Sequence, residues 1–129
     1  MNTLLDPDHH YYILVPLSNQ FIERLYRYDI YNNSGLDTYS FLSITFYEDF
    51  YYELELKLFH ILNIKYHLHI NMYEDEVIEP ILIPKVISIL HNAINNTAPE
   101  DECFYNFCTK FLHLLTYAQD NNLPVGLYF

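Results

Sequence analysis

His67 and His69 stand two apart in the run Ile64–Tyr73, so on a strand both imidazoles project from one face, with His9 and His10 as further nitrogen donors. Closely spaced histidines are zinc chemistry. No HExxH or cysteine motif accompanies them, and a polar, exposed strand face explains them with fewer assumptions. Glu74, Asp75, Glu76 and Glu79 follow the same run. Carboxylates at the carboxyl end of a parallel strand could hold Mg²⁺ or act as acid and base. Yet the chain has only two glycines, Gly35 and Gly126, and therefore no phosphate-cradling loop. It also lacks a GxSxG and any Cys–His arrangement of a known pattern. The acids then read as a solvated loop or part of a partner surface. No catalytic residue, metal or cofactor is expected.

A third group of residues suits binding. Tyr47–Leu62 (YEDFYYELELKLFHIL) placed on a helix puts Phe46, Tyr47, Phe50, Leu54, Leu58, Ile61 and Leu62 on one broad core face. The opposite side carries Tyr52, Leu56 and Phe59, with Asp49 and Glu53 along one edge and Glu48 and Glu55 along the other. Such a stripe is either the second buried side of the helix or a binding face with aromatic anchors inside an acidic rim. Glu53–Leu58 also alternates with period two, as a half-buried strand does; length and the helix formers Glu, Leu and Lys favour the helix.

The elements that position these groups follow from periodicity. Tyr11–Val15 reads as a strand ended by Pro16, and Ser18 as the N-cap of a helix over Asn19–Tyr31. Asn32-Asn33-Ser34-Gly35 is a turn, and Phe41–Phe46 a short strand into the central helix. Ile64, Tyr66, Leu68, Ile70 and Met72 alternate with Lys65, His67, His69 and Asn71, predicting a strand over Ile64–Tyr73. Strand, helix, strand suggests a βαβ unit with parallel pairing. Pro84 opens a helix to Asn95 with Ile83, Val86, Ile87, Leu90 and Ile94 inward. Thr97 and Glu100 have capping-box spacing before a helix to Asp120 that buries Phe104, Phe107, Cys108, Phe111, Leu115 and Ala118. Leu123–Phe129 closes the chain as a strand. The expectation is one α/β domain over residues 1–129: a small mixed sheet packed with about four helices.

The chain has 129 residues, enough for a core without metal or disulfide support. Its start has no signal-peptide pattern and no apolar run reaches the ~20 residues of a membrane span, which points to the cytoplasm. Cys103 and Cys108, five apart on a helix, point about 140° apart and are expected to be buried free thiols. Seventeen acids against six bases give a net charge of −11, which argues against direct nucleic-acid or anionic-membrane binding. Residues Asp37–Glu102 hold net −9 of it. Fourteen tyrosines are interleaved with these acids, and tyrosine supplies large contact area at low entropic cost. Together they suit a basic protein partner.

The passage INMYEDEVIEPILIPKVISIL (Ile70–Leu90) and the ending LLTYAQDNNLPVGLYF (Leu114–Phe129) resemble bacterial immunity proteins of contact-dependent inhibition and other polymorphic-toxin systems. That resemblance implies a cytoplasmic inhibitor of one cognate, basic, nuclease-like toxin. The surface expected to meet it comprises Glu48, Asp49, Tyr52, Glu53, Glu55, Leu56, Phe59, Glu74, Asp75 and Glu76. The alternatives are a phage-type acidic inhibitor that mimics nucleic acid, as anti-CRISPR and anti-restriction proteins do, and a small metal-dependent enzyme.

Overall fold

Val125-Gly126-Leu127-Tyr128 has no polar position between its apolar ones, the pattern of a strand covered on both faces. In the computed structural model, which describes residues 10–71, 75–98 and 100–129, this segment is the inner strand β6. Four strands form a sheet: β1 (His10–Pro16), β4 (Phe41–Tyr47), β5 (Asp75–Ile78) and β6, in the order β4-β1-β6-β5. A hairpin of β2 (Tyr31–Asn32) and β3 (Gly35–Leu36) stands apart from it. Gly35 adopts φ 117°, open only to glycine at low cost, and Asn32 Oδ1 accepts from the Ser34 amide, so the turn lies where expected.

Every pairing among the described residues is antiparallel, which corrects the expected parallel βαβ unit. The cause is the segment after the central helix. The predicted strand over Ile64–Tyr73 does not form among its described residues. Helix continues to Tyr66, His67 ends it in the left-handed conformation, and 67–71 run on without a ladder. The alternation was real, since Leu68 and Ile70 are buried between exposed His67, His69 and Asn71. Side chains take the place of a neighbouring strand here. Asn63 accepts from the Ile70 amide and donates to its carbonyl at 2.8 and 2.9 Å, and Glu76 accepts from the His69 amide at 2.8 Å. The strand proper begins inside the expected acidic loop, as β5, and pairs with β6 at the edge opposite β4.

The central helix forms as one run: α2 (Glu48–Leu54), a π turn over Glu55–Phe59, and α3 (His60–Tyr66). This resolves the strand alternative. The first helix is shorter than expected. A 3₁₀ turn over Asn19–Phe21 leads into α1 (Ile22–Tyr26), which stops because Tyr28 turns to φ 58°. Ser18 precedes it without a side-chain capping bond. Helix α4 (Ile83–Asn95) has Pro84 in its first turn, and α5 (Glu102–Asn121) is capped by Asp101, which accepts from the Phe104 amide. Asp101, one residue past the expected Thr97–Glu100 box, takes the capping role. Thr97 donates to the Ala93 carbonyl instead.

Strand alternation divides the core. Tyr11, Ile13 and Val15 of β1, Ile44 and Phe46 of β4, and Val125 and Leu127 of β6 face the central helix, α4 and α5. Leu14 and Tyr128 face the other way, under Leu25, Ile30 and Phe41, with Leu36 of the hairpin packed alongside. On that second face Arg24 reaches Asp37 at 2.8 Å, and this bond holds the Asp37 carboxyl below the ordinary carboxylate range. The result is a single α/β domain. No described helix is long and apolar enough to cross a membrane.

Candidate functional site

In an α-helix, residues five apart lie about 140° apart. Across a π turn, with i→i+5 bonding, they come nearly into line. The turn over Glu55–Phe59 therefore rotates everything after it relative to the helix as α-geometry alone would draw it. Leu54, Leu58, Phe59 and Leu62 are all fully buried, with Tyr51 before them. Phe59 thus leaves the expected binding stripe and joins the core, its ring 5.2 Å from that of Phe129 and 5.8 Å from that of Tyr51. Ile61, expected inside, moves out.

What remains outside is a row at spacings of four, five and three: Tyr52, Leu56, Ile61 and Ile64, exposed by 42%, 77%, 42% and 66%. The five-residue step from Leu56 to Ile61 crosses the π turn, which lines up the two halves of the row. Water-exposed aliphatic groups in such a line mark a contact surface more often than solitary exposed residues do. Asp49 is exposed and Glu53 and Glu55 are half-buried along the same helix, so the acidic rim persists in part. Glu48 does not belong to it: it is buried. Tyr47, expected in the core, is exposed.

Beside Ile61 lies a cavity of about 540 Å³ between the central helix and the α4–α5 turn. Its walls are apolar at Ile61, Ile89, Ala93 and Phe104 and polar at Asn92 and Asn96. The Lys57 ammonium lies 5.0 Å from the Phe104 ring centroid and bonds both Glu53, at 3.1 Å, and Asp101. That ammonium holds the Asp101 carboxyl below its usual range. A ridge of apolar side chains with an adjoining apolar hollow can receive one protruding side chain of a partner.

The acidic group at β5 splits. Glu74 lies outside the described residues. Glu76 accepts from the His69 and Val77 amides and so staples the fold. Asp75 is exposed at the start of β5, opposite Tyr128 in register and away from the helix ridge. His67 and His69 are exposed and lie at and after a helix end, not on a strand, and His9 lies outside the described residues. Among the described residues no three His, Cys, Asp or Glu side chains gather as metal ligands. Cys103 is exposed, against expectation; Cys108 is buried, and burial pushes its thiol up to about 12.

Sequence reading missed Ile61 and Ile64 as surface residues, because the π turn has no local signature. It also missed a group of tyrosines gathered from distant segments on the second face of the sheet. Compared with known proteins, the chain matches no family model, no curated protein and no solved structure.

Proposed function

We propose that this protein is a cytoplasmic immunity protein that neutralises a cognate, basic toxin domain by binding it stoichiometrically along the central helix. The observation that carries the reading is the exposed row Tyr52–Leu56–Ile61–Ile64 with Asp49, Glu53 and Glu55 on the same helix. Apolar anchors provide affinity at the centre of an interface, and charges at its rim select the partner and speed encounter. A net charge of −11 favours a basic partner. Mimicry of nucleic acid works through charge spacing and has no use for exposed leucine and isoleucine, so the row favours a protein-specific interface. The binding role needs no catalytic group or cofactor.

The test reads the neighbouring reading frame, where a basic toxin C-terminal domain is expected, and co-produces that domain with this chain; a neighbour that encodes no such domain counts against the reading. The expected result is relief of toxicity and a one-to-one complex. Tyr52→Ala and Leu56→Ala each weaken that complex more than tenfold, about 2 kcal/mol per anchor, while the fold stays intact. Unrelieved toxicity with no complex overturns the reading. Full affinity in both folded variants removes the helix row from the interface.

A further inference from the structure

On the sheet face away from the central helix, one cross-strand row runs Thr45, Tyr12, Tyr128, Asp75 across β4, β1, β6 and β5. Directly opposed residues in such rows have side chains in mutual reach. Tyr28 and Tyr31 stand over it. The Tyr28 ring meets that of Tyr128 edge-on at 4.8 Å, and the Tyr31 ring meets those of Tyr12 and Tyr28 at 6.2 Å each, near perpendicular. Tyr128 is pinned by its hydroxyl, which donates to the Leu25 carbonyl. Tyr28 and Tyr31 nonetheless remain more than two-fifths exposed. Next to them, the Tyr26 hydroxyl bonds the Glu79 carboxylate at 2.7 Å.

The charges here are unbalanced. Arg24 is committed to Asp29 and Asp37, and Arg27 to Glu23. No cation pairs with Asp75 or Glu79 among the described residues, and Asp75 is partly desolvated, which raises its carboxyl pKa. Perpendicular phenol rings and a carboxylate without a counter-ion among the described residues form a negative, aromatic surface. Such a surface attracts a cation through ring faces and oxygens together.

We propose that the Tyr12–Tyr28–Tyr31–Asp75 cluster is a recognition site for an arginine side chain of a protein partner. A guanidinium is planar and weakly hydrated, so it stacks on a tyrosine ring while its several N–H groups reach the carboxylate and phenolic oxygens; a lysine ammonium does this less well. This inference does not rest on the helix ridge, which lies on the opposite face of the sheet.

The test titrates N-acetyl-arginine amide into the full chain and follows tyrosine ring resonances. Saturable shifts centred on Tyr28 and Tyr31 are expected, with millimolar affinity for so small a probe. The neutral citrulline analogue should bind far more weakly. Asp75→Asn, which keeps the side chain's shape, should weaken arginine binding about fivefold. Tyr31→Leu provides a second variant that removes a ring while leaving the carboxylate. Equal response to citrulline, shifts centred elsewhere, or undiminished binding in Asp75→Asn overturns the proposal. Arginine binding here with unrelieved toxicity and no toxin complex would sink the immunity reading and leave this site standing.

Discussion

Phe59 and Leu56 are three residues apart in one helix and have opposite roles. Phe59 is fully buried against Phe129 and Tyr51, whereas Leu56 is among the most exposed large apolar residues of the chain. Phe59→Ala should therefore leave a cavity in the main core and cost about 3–5 kcal/mol of stability in urea denaturation. Leu56→Ala should change stability by less than about 0.5 kcal/mol, because no core contact is lost. A Phe59→Ala cost as small as that of Leu56→Ala would place the ring outside the core and restore it to the binding stripe. Glu76 teaches the same lesson for a charged group. Two amides claim its carboxylate, which makes it part of the fold rather than part of a rim.

At the scale of elements, β6 has the least freedom. It lies between β1 and β5, and all four of its residues are buried. A Cβ on Gly126 would lie 2.8 Å from the Tyr128 ring and 2.9 Å from Leu25 Cδ1. The ring cannot swing away cheaply while its hydroxyl holds the Leu25 carbonyl. Gly126→Ala should accordingly lower stability by about 1–3 kcal/mol through overpacking, read as a fall in thermal midpoint. An unchanged midpoint would mean that β6 and α1 can part without loss. The same substitution should also disturb the tyrosine cluster, because Tyr128 forms its floor.

For the molecule as a whole, charge governs encounter. With net −9 between Asp37 and Glu102, a basic partner should be drawn in faster than the ~10⁵–10⁶ M⁻¹s⁻¹ of uncharged pairs. Asp49→Lys/Glu55→Lys should slow association several-fold at low salt, measured by stopped flow. Glu53 is the wrong residue to reverse, since it bonds Lys57. At ~1 M salt the Debye length is about 3 Å, and the wild-type and variant rates should converge. Coincident rates at low salt would show that these acids solvate the fold without steering.

Local pattern alone determined much of this protein. The six residues expected inside α5 are its six buried residues, and β1, β4, the Asn32–Gly35 turn and the helical opening at Pro84 all stand where periodicity and turn chemistry set them. These features depend on neighbours a few residues away, and apolar spacing reports them directly. Tertiary structure decided the rest. Residues 67–71 keep their in-out alternation but no ladder, because which backbone receives their hydrogen bonds depends on Asn63 and Glu76 rather than on pattern. The π turn over Glu55–Phe59 turns Phe59 into the core against Phe129 and Tyr51 and brings Ile61 out beside Leu56. The pairing of β1, β6 and β5 brings Tyr12, Tyr128 and Asp75 into one row, and the packing of the segment after α1 sets Tyr28 and Tyr31 over it. Periodicity tells each segment which side is apolar; strand pairing and packing tell it what that side will meet.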